Sequence, residues 1–182
     1  MCRPAYTSPL VVVKPGALGD TLLLAPALRA LAQGAPGRPV TVVGTLPYAA
    51  LLPILGVASR VVDFDRLRLF GPPGPEAGLF AGAVVAAFLG QPPEGPECDP
   101  FRARGALETF WSPSRPPASP GLHAAEHLHR RLAAAAPEIR PLTRDPFVVH
   151  PRGPLPLQPP YAVLAPGAGS PAKRAPLDLF RD

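Results

Sequence analysis

The sequence predicts an α/β fold built around a parallel sheet, for three reasons. Three short runs, at residues 10–14, 40–44 and 60–64, hold two or three valines each and have the composition of buried strands. Segments in which apolar residues recur at helical spacing lie between them, and the connections are short. Strands that alternate with helices in this way lie parallel and are joined by right-handed crossovers.

The two helices between these strands follow from local signals. A helix is predicted at 20–33, because its leucines and alanines recur at helical spacing and Gly34 follows as a stop. Pro26 lies inside this helix and is expected to bend it. A shorter helix is predicted at 47–55, where a glycine again follows. The first 65 residues therefore form a βαβαβ unit.

The middle of the chain continues this alternation less regularly. The predicted elements are a helix at 76–82, a strand at 83–89, a loop at 91–100, a helical turn at 100–105, a strand at 107–111 and a helix at 122–136. Four prolines within 113–120 indicate an extended connection before the last helix.

A domain boundary is predicted near residue 150. Residues 1–150 would form one domain, and the five prolines of 151–160 indicate a linker. A new strand, loop and helix start follow in 161–182, which is too little to bury a core. We therefore expect residues 161–182 to begin a second domain that the chain does not complete.

Composition excludes several classes of protein. With 47% hydrophobic residues, the chain is too apolar to be disordered, despite 30 prolines in 182 residues. It has no apolar run long enough to span a membrane and no signal peptide. Two cysteines form no disulfide framework or zinc motif, which favours a reduced, cytoplasmic setting. The net charge is +5, but the basic residues form no stripe interleaved with aromatic residues, so nucleic-acid binding is disfavoured. The positive charge remains compatible with binding to an anionic membrane surface.

The only two lysines of the chain lie in two glycine-containing loops. Lys14 begins the loop 14–20 and Lys173 ends the loop 166–173, each between a predicted strand and a predicted helix. Such loops lie beyond the carboxyl ends of strands, where ligands bind, and helix amides favour anions. Ordinary turn chemistry is the alternative. Neither loop matches the dinucleotide fingerprint or the P-loop, which disfavours dehydrogenases and P-loop NTPases.

Two other sets of polar residues have alternative interpretations. Asp20 is the first acidic residue of the chain, at the start of the first helix, and fits either a general base or a helix-start acid. His123 and His127 share one helix face and could bind a metal. No third ligand is evident, so an ordinary packed or solvated helix face is favoured there.

Several segments together resemble glycosyltransferase family 9, the ADP-heptose:lipopolysaccharide heptosyltransferases. The matching segments are residues 11–31, 40–44, 61–65, 123–128 and 163–176. The first and last of these segments, taken together in this order and at this separation, are specific for the family. Residues 66–120 resemble it only in their general pattern.

This resemblance implies a GT-B architecture, in which two Rossmann-like domains face each other across a cleft. The first domain would bind a glycolipid acceptor of the lipopolysaccharide-core type and the second an ADP-sugar, with heptose the expected sugar. The reaction would be an inverting transfer without a cofactor or an obligatory metal. It would take place in the cytoplasm, with peripheral contact to the inner membrane as a further expectation.

The resemblance also assigns roles to individual residues. Asp20 aligns with the catalytic base of the family. The loop on the acceptor side contains Lys14, Gly16 and Gly19. The residues that align with the donor-phosphate site are Gly169, Ser170 and Lys173.

The sequence departs from the family at two positions and leaves two alternatives. Ala165 and Ala175 replace a histidine and a tryptophan that are frequent in the family. Because most of a donor domain is missing, we expect little activity from these residues alone. The alternatives are a non-enzymatic or degenerate Rossmann-like module that binds a sugar or phosphate, and a related transferase that uses another nucleotide sugar.

Overall fold

The structure is a computed structural model that describes residues 8–69, 71, 74–117 and 121–143. Within these residues the chain forms one sheet of five parallel strands. The strands are β1 (Leu10–Val13), β2 (Val40–Gly44), β3 (Arg60–Asp63), β4 (Val84–Ala87) and β5 (Glu108–Trp111). The predicted fold class is confirmed. The predicted linker and second domain, at 151–182, lie outside the described residues.

Three α-helices accompany the strands in the described part of the chain. They are α1 (Leu18–Gly34), α2 (Leu51–Ile54) and α3 (Ala124–Ala135). Helix α1 starts two residues earlier than predicted and continues through Pro26. The helix predicted at 47–55 is a single 3-10 turn that leads into the one-turn helix α2.

The prediction of a helix at 76–82 is wrong, since the structure has only the 3-10 turn Ala77–Phe80 there. Gly78 lies within this turn and Gly82 follows it at φ +69°, and both disfavour a longer helix. The helical turn predicted at 100–105 is present as Arg102–Arg104. The loop predicted at 91–100 holds a further 3-10 turn, Pro96–Cys98.

The strand order is β3-β2-β1-β4-β5, so the chain builds outward from β1 in both directions. Val12 of β1 pairs with Val42 of β2 on one side and with Ala86 of β4 on the other. After β3 the chain crosses back over the sheet to begin β4. This reversal places a topological switch point between β1 and β4, and ligands of open α/β sheets bind beyond the carboxyl ends of strands at that point.

The two faces of the sheet are covered in different ways. Leu10 and Val12 of β1 lie in a core shared with α1, α2 and α3. Val11 and Val13 point to the other face, which is covered by connecting segments that contribute Leu67, Leu69, Phe80 and Phe101. The Phe101 ring lies 5.0 Å from that of Phe80 and 5.2 Å from that of Trp111, centroid to centroid. Both faces are thus apolar, as expected for parallel strands. In the described ranges, no helix is both long enough and apolar enough to cross a bilayer.

Candidate functional site

The candidate site begins where β1 ends, at the switch point of the sheet. The amide of Lys14 donates to the carbonyl of Val43, at 2.8 Å, and the amide of Phe88 donates to the carbonyl of Val13, also at 2.8 Å. Hydrogen bonds to both neighbouring strands therefore hold the backbone that enters the loop. The loop of residues 15–17 then leads directly into α1.

Lys14 and Asp20 form an ion pair across this loop. The Lys14 Nζ atom lies 3.8 Å from the Asp20 Oδ1 atom. The Lys14 side chain is only 2% exposed, whereas the Asp20 side chain is 37% exposed. The pair therefore joins an internal cation to a carboxylate that solvent and ligands can reach.

Asp20 is the third residue of α1, and its carboxylate turns back to the start of the helix. Asp20 Oδ2 accepts a hydrogen bond from the amide of Ala17, the N-cap residue, at 3.3 Å. This contact satisfies one of the amides that every helix leaves unpaired at its N-terminus. The helix-start role and an accessible carboxylate are thus present in the same residue.

Three glycines near the site differ in how strongly their surroundings require them. A Cβ atom on Gly16 would lie 2.9 Å from the Cβ and 3.0 Å from the Oδ2 of Asp20, so glycine lets the loop wrap closely around this carboxylate. The Gly16 amide donates to Thr45 Oγ1, at 3.1 Å, which ties this loop to the one after β2. A Cβ on Gly44 would lie 2.9 Å from the Cβ of Ala49. A Cβ on Gly19 would meet open space.

The charge of Lys14 is influenced by two groups besides its burial. Burial lowers the pKa of Lys14 below its usual value of 10.5, because the ammonium is removed from water. Asp20 acts against this and raises that pKa, whereas Arg115 lowers it further. Arg115 is exposed and lies in the connection after β5, so three segments of the chain bring charges to the switch point.

Sequence reasoning did not select Arg115. It is one of 16 arginines and lies in a proline-rich segment without a motif. Only the strand order brings the connection after β5 toward the end of β1. An alternating strand and helix pattern does not determine that order.

The two histidines considered as metal ligands have contacts within the protein. His123 caps α3, where its Nδ1 accepts from the amide of Ala125, at 3.2 Å. The buried His127 ring places Nε2 2.9 Å from the carbonyl of Pro113, which ties α3 to the connection after β5. Among the described residues, no three His, Cys, Asp or Glu side chains are grouped to hold a metal ion.

The structure brings together part of the expected site. Lys14, Gly16 and Asp20 lie in contact at the carboxyl edge of the sheet, and Gly19 lies on the first turn of α1. The residues expected on the donor side, which are Gly169, Ser170 and Lys173, lie outside the described residues.

Two solved structures share the architecture of this chain. The E. coli heptosyltransferase WaaC with ADP superposes with a TM-score of 0.55 and 19% sequence identity, over 78% of this chain and 51% of that one. The same enzyme with ADP-2-deoxy-2-fluoro heptose gives a TM-score of 0.50 and 18% identity, over 78% and 52%. The fold is that of a heptosyltransferase domain. The chain spans about half the length of these structures. No family model and no curated protein matches it by sequence.

Proposed function

We propose that this chain forms the acceptor-side domain of an inverting glycosyltransferase of the heptosyltransferase type. The enzyme would transfer a sugar, heptose in the first instance, from an ADP-sugar to a glycolipid acceptor resembling the lipopolysaccharide core. One observation carries the proposal: the accessible carboxylate of Asp20 lies at the switch point of a sheet with the heptosyltransferase fold.

Asp20 is the general base of the proposed reaction. The attacking hydroxyl of the acceptor must lose its proton as it bonds to the anomeric carbon of the donor sugar, and a fixed carboxylate accepts that proton. The carbon–oxygen bond to the diphosphate breaks in the same displacement, so the anomeric configuration inverts. ADP leaves with additional negative charge, which a lysine and loop amides stabilise. On the donor side we assign that role to Lys173, Gly169 and Ser170.

Exposed apolar side chains on the two segments that follow β1 and β2 support a lipid-bearing acceptor. Leu18 and Leu22 are exposed on the first two turns of α1, and Leu46 and Tyr48 are exposed in the connection after β2. Leu18 and Leu22 are four residues apart and therefore share one face of α1, and exposed apolar side chains on one face are typical of binding surfaces. Together with the net charge of +5, they fit an acceptor presented at the anionic cytoplasmic face of the inner membrane.

The decisive experiment replaces Asp20 by asparagine in a protein that joins this chain to its donor-binding partner domain. Asp20→Asn keeps the shape and a capping oxygen but cannot accept the proton. Turnover measured by ADP release should fall by about 10²–10⁴-fold, whereas binding of donor and acceptor should change little. The asparagine oxygen can still accept from the Ala17 amide, but the buried Lys14 ammonium loses its ion-pair partner. Stability should therefore fall by about 1 kcal/mol or more.

Asp65→Asn is the matched control. Asp65 is an exposed carboxylate in the 3-10 turn after β3. Its substitution removes the same charge as Asp20→Asn, but away from the switch point. This variant should retain turnover. If Asp20→Asn instead turns over at the wild-type rate and both variants bind the acceptor, the base assignment is wrong. Asp20 would then be only an acid that stabilises the start of α1. A wild-type protein that binds the acceptor but shows no turnover would instead be a sugar- or phosphate-binding module.

A further inference from the structure

We propose that Lys14 is a positioning residue, an internal cation that orients the Asp20 carboxylate without contacting the substrate itself. The inference rests on the proposed function, since it concerns how the base of that reaction is held. It is drawn from the placement of Lys14 inside the sheet edge, the geometry of the ion pair and the charges around it.

The difference in exposure between the Lys14 and Asp20 side chains argues against a direct role for Lys14 in binding substrate. A lysine that binds a phosphate or carboxylate from solvent presents its ammonium at the surface. The Lys14 side chain is 2% exposed, and its amide is fixed to Val43 of β2. The Lys14 carbonyl oxygen lies 3.4 Å from where a Cβ on Gly44 would be, so the backbone beneath it is closely packed as well. An external ligand therefore meets Asp20 and not Lys14.

The distance between the two charges suits orientation. At 3.8 Å, Lys14 Nζ attracts Asp20 Oδ1 electrostatically but is too far for a normal hydrogen bond. The other oxygen, Oδ2, accepts one hydrogen bond from the Ala17 amide. A carboxylate has about four lone-pair positions. The carboxylate is thus held from two directions and keeps free positions on its exposed side to accept a proton.

The charge on Lys14 in turn depends on its neighbours. The charged groups that act on it are Asp20 from α1, which favours the ammonium, and Arg115 from the connection after β5, which opposes it. Because coupling between two sites is reciprocal, a measurement on Lys14 reports on its interaction with Asp20. That measurement needs neither donor nor acceptor.

The first experiment follows the titration of Lys14 by NMR in this chain. The sequence has two lysines, so ¹³C-lysine labelling of Lys173→Arg protein leaves Lys14 as the single ε-methylene signal. Asp20→Asn should move the titration midpoint of Lys14 to lower pH, and Arg115→Gln should move it to higher pH. Glu126→Gln, which removes an exposed carboxylate on α3, should leave it unchanged. If Asp20→Asn leaves the midpoint unchanged, the proposal is overturned, whatever Arg115→Gln does.

The second experiment is a double-mutant cycle in the complete transferase. Lys14→Met should lower kcat by about 10–100-fold and leave the KM for acceptor within about threefold, because an orienting group acts in the transition state. In the Asp20→Asn background, Lys14→Met should change kcat by less than about twofold, because both residues act through one carboxylate.

The outcomes separate this inference from the proposed function. A rise of about tenfold or more in the acceptor KM with unchanged kcat would make Lys14 a substrate ligand. An equal loss in the Asp20→Asn background would also overturn the positioning role. Full turnover by the single variant Asp20→Asn would overturn the assignment of Asp20 as the base, and with it the positioning role of Lys14 in catalysis. Absence of turnover in the wild-type transferase would overturn the proposed function, whereas the NMR titration would still test the interaction between Lys14 and Asp20. If Lys14→Met does not fold, the NMR titration decides, since it leaves Lys14 in place.

Discussion

Two ion pairs lie at opposite edges of the sheet, and they are built differently. At the carboxyl edge, Lys14 and Asp20 are 3.8 Å apart and the carboxylate is 37% exposed. At the amino edge, Arg38 precedes β2 and forms a close hydrogen-bonded ion pair with Glu138, in the segment after α3. Both side chains of this second pair are buried, with 3% and 12% of their surface exposed. The Asp20 carboxylate is therefore accessible to solvent and ligands, whereas the Glu138 carboxylate is enclosed by the protein.

The surroundings of the amino-edge pair indicate a structural role. Arg38 Nε also donates to the carbonyl of Ser8, at 3.0 Å, which connects the segments that precede β1 and β2. The amide of Arg140 donates to the carbonyl of Ala30 in α1, at 3.0 Å. The pair thus fastens the segment after α3 to the start of two strands. In an open α/β sheet the amino edge is the one that does not bind ligands, so burial there stabilises the fold without limiting access to a site.

The largest expected effect is the loss of stability when the amino-edge pair is broken. Arg38→Met leaves the Glu138 carboxylate buried without its partner, and should lower the free energy of unfolding by about 3 kcal/mol or more. Adding Glu138→Leu to Arg38→Met removes the unpaired buried carboxylate, and should recover most of the lost stability. Urea denaturation of the three proteins measures both effects. A loss of less than about 1 kcal/mol in Arg38→Met would remove the distinction between the two edges.

The second effect concerns the glycine that makes room for the same segment. A Cβ on Gly34 would lie 1.9 Å from the carbonyl oxygen of Glu138, so Gly34→Ala must displace backbone and should cost about 1–3 kcal/mol. Gly19→Ala is the matched control on the same helix, where the new Cβ meets open space. It should be neutral or stabilise the chain by up to about 1 kcal/mol. Thermal unfolding of Gly34→Ala and Gly19→Ala compares their stabilities. Equal destabilisation of the two variants would contradict the prediction that only Gly34 is closely packed.

The sequence predicted the parts of this comparison that depend on local pattern. The strands, helix α1 and the placement of Lys14 and Asp20 around one loop follow from valine runs, helical spacing and glycine. The strand order does not follow, because it depends on where the chain crosses the sheet after β3. For the same reason the pattern did not indicate that Arg115 acts on the pKa of Lys14. Nor did it indicate the contact between Arg38 and Glu138, which are 100 positions apart in the chain.

The covering of the sheet was also predicted only in part. Helical periodicity identified the helices on one face, where their leucines recur every three or four residues. The other face is covered by Leu67, Leu69, Phe80 and Phe101, which lie in or beside short turns and follow no period. Their burial depends on the crossing of the chain from β3 to β4, which has no local signal.

The smallest expected effect is a pH dependence of stability at the carboxyl edge. Burial lowers the pKa of Lys14 in the folded chain below 10.5, the usual value that the unfolded chain keeps. Between these two pKa values the unfolded chain binds more protons than the folded chain, so stability rises with pH, by at most about 1.4 kcal/mol per pH unit. Below that window both states are protonated, and the full cost of burying the ammonium is present.

Lys14→Met removes this titration and is the reference for its measurement. At neutral pH it should be at least as stable as the wild type, because a buried ammonium is replaced by an apolar chain of similar size and Asp20 remains solvated. As the pH rises toward 10.5, the wild type should gain stability relative to the variant. Denaturant midpoints of the two proteins at matched pH values give the difference, in which the other titrating groups cancel. A wild type that instead loses stability relative to Lys14→Met over this range would mean that the folded chain favours the ammonium, as an enclosed ion pair does. The two edges of the sheet would then hold ion pairs of the same kind.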